Sequence, residues 1–243
     1  MSAPVKRHHH VIYGKSWHLL VTLGFIVLPV AFLMLFSEFA HITAAQLFSD
    51  VGISIGRIFI AFIISVLLGW TLAVLCYRGK VSVVALPLFD VLQSVPTFAA
   101  LPIAVMYWGA GTRTVVFFLI LAIIWPVLFS VISSLKLIKS DYEEAVTIYG
   151  LRGWKRVRYF LLPATVPGLI TGAIIGLGEA WEAVIATEII VGVRTGLGPF
   201  FQTFSTNPKI TAFGMLGVLM IIFVINRIFL LPLLERSHSL MDE

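Results

Sequence analysis

The sequence predicts an all-α protein that crosses a membrane several times, and three observations carry that prediction. Of its 243 residues, 59% are hydrophobic and only 12% charged, whereas soluble domains carry about half and about a quarter. The mean hydropathy is +1.02. The apolar residues gather into runs of about twenty, the helix length that spans a hydrocarbon core of roughly 30 Å. The net charge of +5 lies in the segments between these runs and forms no nucleic-acid patch, so no nucleic-acid partner is expected. A single cysteine, Cys76, excludes an internal disulfide and a thiolate-rich metal site.

Residues 1–16 are polar and basic and read as a cytoplasmic N-terminal segment. The apolar run that follows is longer than a signal-peptide core and has no small-residue cleavage site, so it reads as the first crossing. Six crossings can be drawn: Trp17–Ser37, Ile53–Cys76, Val81–Tyr107, Thr114–Leu135, Val166–Val191 and Ile210–Leu234. Together they make a membrane domain over residues 17–235, with a cytoplasmic tail at 236–243. The third crossing holds Pro87, Pro96 and Pro102 beside Asp90, Gln93 and Ser94. Proline removes a backbone donor and bends a helix. Irregular backbone at membrane depth must be buried in protein or line a wet cavity, so this crossing is expected to face the protein interior, as one kinked helix or two pieces.

Lysine and arginine in loops favour the cytoplasmic side. With the N-terminus inside, the inner segments hold Lys6, Arg7, Lys15, Arg78, Lys80, Lys136, Lys139, Arg152, Lys155, Arg156, Arg158 and Arg236. The outer segments hold only Arg113, Arg194 and Lys209. Both termini are therefore placed in the cytoplasm, consistent with an even number of crossings. Tyr13, Trp17, Tyr77, Tyr107 and Trp108 fall near span ends, where interfacial aromatic belts form.

The inner segment over residues 136–163 is too polar to cross. Ser140 with Glu143 has capping-box spacing. Tyr142, Ala145, Val146 and Tyr149 recur at helical spacing as one apolar face, and Gly150 fits a helix stop. A second helical stretch from Gly153 to Leu162 carries Trp154, Val157 and Leu161 on one side. Two short helices joined at a glycine make a stiff cytoplasmic protrusion. On the outer side, residues 194–209 suggest a re-entrant helix around Phe200–Phe204.

The protrusion reads Glu144-Ala145-Val146-Thr147-Ile148-Tyr149-Gly150, then nine residues, then Phe160-Leu161-Leu162-Pro163. This resembles the EAA signature of ABC importer permeases, with Val146 in place of the second alanine and Phe160 in place of the usual isoleucine. Ser54-Ile55-Gly56-Arg57, Val95-Pro96, Leu101-Pro102, Trp108-Gly109, Ala186-Thr187-Glu188 and Gly196-Leu197-Gly198 resemble the nitrate/sulfonate/taurine/bicarbonate-type branch.

The resemblance implies a type I ABC importer-like fold, in which a separate ATP-binding subunit docks on Glu144, Ala145, Val146, Gly150, Leu151 and Pro163. It implies two such subunits per complex, a second permease copy or paralogue, and a periplasmic or lipid-anchored substrate-binding protein, all in the bacterial inner membrane and its lipid. ATP and Mg would belong to the partner, with no cofactor in this chain. The implied substrate is a small solute of the nitrate, sulfonate, taurine, bicarbonate or pyrimidine-precursor type.

No catalytic or metal-binding residues are expected. Gly14-Lys15-Ser16 looks like the tail of a phosphate-binding loop, but that motif needs a glycine where His9 stands. His8, His9 and His10 read as incidental at a terminus.

The intramembrane charges are Arg57, Asp90, Glu179, Glu182, Glu188 and Arg227. Such residues are expensive in lipid and usually face protein or a water-filled path. Two readings are open. Glu179 and Glu182, which share a helix face, either line a translocation path or pair with Arg57 and Arg227 inside the bundle. Unpaired carboxylates would be a poor lining for an anion. Gly168, Gly172, Gly176 and Ala180 recur every four residues and read as a helix-packing ridge in preference to a dimer seam. The rival classes are an ion-gradient-driven secondary transporter or channel, in which these acids carry the coupling, and a membrane enzyme, for which no catalytic cluster converges.

Overall fold

The computed structural model describes residues 15–230, with side chains from Val27 to Ile228 apart from Ser140. The histidine run, the tail at 236–243 and the far end of the sixth expected crossing lie outside the described residues. Within them the chain is helical and contains no strand. The elements are α1 (Lys15–Phe39), α2 (Ala44–Cys76), α3 (Gly79–Gln93), α4 (Thr97–Trp108), α5 (Thr112–Lys136), α6 (Ser140–Ile148), α7 (Gly153–Arg156), α8 (Leu162–Val191), α9 (Leu197–Thr203) and α10 (Pro208–Ile225).

Four helical stretches are long and apolar enough to cross a membrane: Ala44–Cys76, Thr112–Lys136, Gly153–Val191 and Pro208–Ile228. A fifth arises if α3 and α4 count as one broken crossing. The first expected crossing falls in α1, where the apolar stretch with described side chains is Val27–Phe39.

The third crossing does not run as one kinked helix: of the two forms expected it takes the two-piece one, with α3 and α4 meeting at a bend of 82°. The break falls at Ser94–Pro96, where proline cannot donate and biases its predecessor away from the α region. Nor does this element face the interior of the chain: α3 has no buried residue and α4 buries only Leu101. Its apolar side chains, Val83, Val84, Ile103 and Met106 among them, are exposed, with no described element covering them.

The second helical stretch expected from Gly153 is also not a separate helix. α7, a π-helical turn at Val157–Leu161 and α8 form one element of 39 residues, about 58 Å long at 1.5 Å per residue. That is well beyond the roughly 30 Å of a bilayer core. In the π turn the Leu162 N–H donates to Val157 O five residues back. The widened turn directly precedes Pro163, which has no N–H to give to the ladder.

α5 lies at the centre, between α2 and α8, with Val115, Leu119, Ile123, Val127, Leu128 and Val131 buried. Glycines set the spacing. A Cβ at Gly172 would stand 2.6 Å from Val127 Cα and 2.8 Å from Pro126 O. One at Gly168 would stand 2.5 Å from Ser130 O, and one at Gly69 of α2 3.0 Å from Val127 Cγ1. The four-residue ridge of α8 therefore packs within the chain, backbone against backbone. α10 packs on α1, where Phe39 meets Phe213 edge to face. α9 starts earlier than the re-entrant helix suggested by the sequence and buries Phe200 and Phe201.

Candidate functional site

Two polar assemblies stand at opposite ends of α2 and α8. At one end, α6 begins at Ser140 with Lys139 in the cap position and no side-chain cap bond. The expected capping box does not form on Glu143. Its carboxylate turns instead to two guanidiniums, which compete better for a charged acceptor than a backbone N–H does. Arg78, just past the end of α2, pairs with Glu143 through Nη1 and Oε2, and Arg156 Nη2 lies 3.8 Å from the same oxygen. Arg156 Nη2 also donates to Tyr77 Oη at 3.3 Å. A hydrogen bond with Tyr77, and then the Glu143 carboxylate, raise the Arg78 pKa above its ordinary value.

α6 ends in a Schellman arrangement. Gly150 has φ +66°, Leu151 N–H donates to Val146 O at 3.0 Å and Gly150 N–H to Thr147 O at 3.1 Å. The left-handed residue lets the chain reverse while closing two orphan carbonyls. Val146 is buried and Leu151 half-buried, at the two positions where this motif often carries an apolar contact. The apolar face expected on α6 is only partly packed. Val146 is buried, but Tyr142 is 60%, Ile148 82% and Tyr149 82% exposed. Trp154 is likewise exposed, while Leu161 is buried. Glu144 is exposed with no partner among the described residues, Ala145 is half-buried and Pro163 is exposed in the first turn of α8. An open cleft of about 840 Å³ lies between α6 and the inner ends of α2 and α5, lined by Tyr77, Arg78, Lys136, Glu143, Glu144 and Arg156.

At the other end, Arg57 Nη1 meets Glu188 Oε1 at 2.6 Å, with both side chains buried. Glu188 also accepts from Ser54 Oγ at 2.8 Å and from the Gly198 N–H at 2.8 Å. Ser54 Oγ accepts from Leu197 N–H at 2.9 Å. Arg57 Nη1 donates to Thr195 O at 2.8 Å and Nη2 to Thr112 Oγ1 at 3.2 Å. Asp50 accepts from Gly196 N–H at 2.9 Å. A Cβ at Gly196 would stand 2.5 Å from Glu188 Oε2, and one at Gly198 2.4 Å from Glu188 Cβ. Only glycine lets this loop close on the carboxylate, and the loop starts from a second Schellman turn at Gly192, φ +73°.

This corrects the sequence-based pairing. Arg57 does not meet Glu179 or Glu182. Both are exposed on α8, with no hydrogen bond or ion pair to any described residue. Arg227 is exposed in the π turn after α10, also without a partner among the described residues. Asp90 is exposed on α3 and accepts only from Gln93 Nε2, at 3.0 Å. A signal for the correct partner was present. The ridge Gly168, Gly172, Gly176, Ala180 continues in steps of four through Val184 to Glu188, which places Glu188 on the packed face. Glu179 and Glu182 lie off that ridge. Arg78, Glu143 and Arg156 were missed as site residues, because their meeting joins three segments distant in sequence. The described residues contain no group of three or more His, Cys, Asp or Glu side chains arranged to hold a metal ion.

A bundle of long apolar helices, with a helical protrusion at one end and an ion-paired loop towards the other, defines a polytopic membrane protein. The chain belongs to the family of binding-protein-dependent transport system inner membrane components, which matches residues 65–237. It is 30% identical over 189 residues to the nitrate import permease protein NrtB of Leptolyngbya laminosa, covering 73% of this chain and 66% of that protein. It is 29% identical over 160 residues to the taurine transport system permease protein TauC of Escherichia coli, covering 65% and 58%. To the bicarbonate transport system permease protein CmpB of Synechococcus elongatus it is 26% identical over 148 residues, covering 60% and 53%. The chain thus spans 53–66% of the length of these relatives. It is a multi-pass membrane protein of that family, similar to permease proteins named for nitrate, taurine and bicarbonate.

Proposed function

We propose that this chain forms the translocation pathway of an ABC importer in the bacterial inner membrane, with residues 17–235 as the permease domain and residues 136–163 as the segment that receives force from a separate ATP-binding subunit. Two such subunits, holding ATP and Mg, dock on a pair of permease copies or on this chain and a paralogue. A periplasmic or lipid-anchored binding protein delivers the substrate. Residues 1–16 and 236–243 are cytoplasmic.

The observation that carries this reading is α6. It presents Tyr142, Ile148 and Tyr149 largely exposed in a segment too polar to lie in lipid, on the side where the basic residues concentrate. Exposed aromatic and aliphatic side chains in water mark an interaction surface. Their partner here is the ATP-binding subunit, with Glu144 and Gly150 at the contact. The uncovered faces of α3, α4 and α8 support a second permease copy, because apolar and acidic side chains there have no cover among the described residues. The substrate is a small solute of the kind carried by the relatives, or a pyrimidine precursor.

Copurification tests the assignment. An ATP-binding subunit is expected to accompany the chain in detergent at a one-to-one ratio, and Ile148→Glu is expected to release it. A cysteine placed at Tyr149 in a Cys76→Ser background is expected to react with an impermeant maleimide only after the cytoplasmic side is opened. Labelling from the periplasm would overturn the assignment.

A further inference from the structure

We infer that Glu143, not the exposed Glu144 beside it, is the positioning residue that ties α6 to two membrane-crossing helices. The inference rests on the reading above that α6 receives force from an ATP-binding subunit.

No helix packs extensively along α6. Of its described side chains only Val146 is buried. Beside the backbone at its two ends, Val146 and the carboxylate of Glu143 help to fasten α6 to the bundle. That carboxylate faces Arg78 on one side and Arg156 on the other. Arg78 follows directly on α2, and Arg156 lies on the rod that continues through the π turn into α8. One carboxylate therefore connects the protrusion to both α2 and α8.

The same two helices are joined at their far ends by Arg57 and Glu188 at 2.6 Å. Between these ends α5 is held against both by glycine contacts at Gly69, Gly168 and Gly172. α2, α5 and α8 thus form a frame pinned at both ends, and a displacement of α6 reaches the outer pin through Glu143. The broken pair α3/α4, which buries only Leu101, lies outside this frame. A partly exposed ion pair contributes little to stability, so the role of Glu143 is transmission, and its loss leaves the fold intact.

The test uses the complete complex with its ATP-binding subunits, spin-labelled at Gln202→Cys in a Cys76→Ser background. Gln202 is exposed on α9, whose N-terminal end is tied to Glu188, so the distance between labels in the two permease copies reports the outer end of the frame. In Glu143→Gln the ATP-binding subunit is expected to stay bound and to hydrolyse ATP, while the ATP-driven distance change shrinks at least threefold. Glu143→Asp, which keeps the carboxylate, is expected to restore it, a rescue that a purely steric role would not give. Arg78→Gln, at an exposed position, is expected to reproduce the loss and replaces Glu143→Gln should that variant not fold. A full distance change in Glu143→Gln overturns the inference and leaves the docking reading standing. Release of the ATP-binding subunit by Glu143→Gln places Glu143 in the docking surface and also overturns it. Absence of any ATP-driven change in the unsubstituted complex overturns both readings.

Discussion

Arg57 of α2 and Glu188 of α8 form a buried ion pair at 2.6 Å, and the other bonds of each side chain hold the loop between α8 and α9. A charge deep in a helical bundle is costly unless paired and hydrogen-bonded. Here the guanidinium and carboxylate satisfy each other, and Ser54, Thr112, Thr195 O and Gly198 N–H take up remaining capacity. The pair also fixes where α2 stands against α8.

Removing one member leaves the other buried and unpaired, which costs about 3–5 kcal/mol. Glu188→Ala is therefore expected to lower the thermal unfolding midpoint in detergent sharply. The double replacement Arg57→Met with Glu188→Met is expected to recover about half of that loss or more, because an apolar pair needs no desolvation. Equal midpoints for Glu188→Ala and the unsubstituted protein would contradict the burial of the pair.

Gly172 tests the packing of α8 on α5. An alanine Cβ would fall 2.6 Å from Val127 Cα, and backbone cannot move aside cheaply, so overpacking costs about 1–3 kcal/mol. Gly178, with nothing within 4 Å of its Cβ position, is the matched control. The folded fraction after heating, read by gel filtration, is expected to fall for Gly172→Ala and to hold for Gly178→Ala.

At Gly150 the expected effect is conformational only. Nothing lies within 4 Å of a Cβ there, but φ is +66°, and a side chain in the left-handed region costs about 1–2 kcal/mol. Gly150→Ala is expected to speed hydrogen exchange at the Gly150 and Leu151 amides, the two donors of the turn. Gly150→Asn is expected to do so less, since asparagine tolerates this region. Identical exchange in Gly150→Ala would remove the Schellman turn from the account.

Glu179 and Glu182 are exposed and unpartnered among the described residues. Converting both to glutamine is expected to change stability by no more than about 0.5 kcal/mol, which a melting curve checks. With the fold intact, uptake by the reconstituted importer is expected to shift in its preference between anionic and cationic small solutes. Unchanged preference would take the two carboxylates off the pathway.

The sequence by itself determined the class, the side on which the basic loops are expected, and the protrusion with its glycine stop. These follow from composition, lysine and arginine bias and local spacing, all of which act along the chain. The intrachain role of the α8 ridge was legible for the same reason, since four-residue spacing places small residues on one face whatever they meet. Its extension to Glu188 was legible too, once the period is carried past Ala180. What met that ridge was decided only by the tertiary structure. The choice of Glu188 over Glu179 and Glu182 for Arg57, and of Glu143 over Glu144 for Arg78 and Arg156, depends on which helices α5 separates and how closely glycines let them approach. A pairing between residues 131 positions apart leaves no local trace, because the energy of a buried charge is set by the partner that folding brings to it.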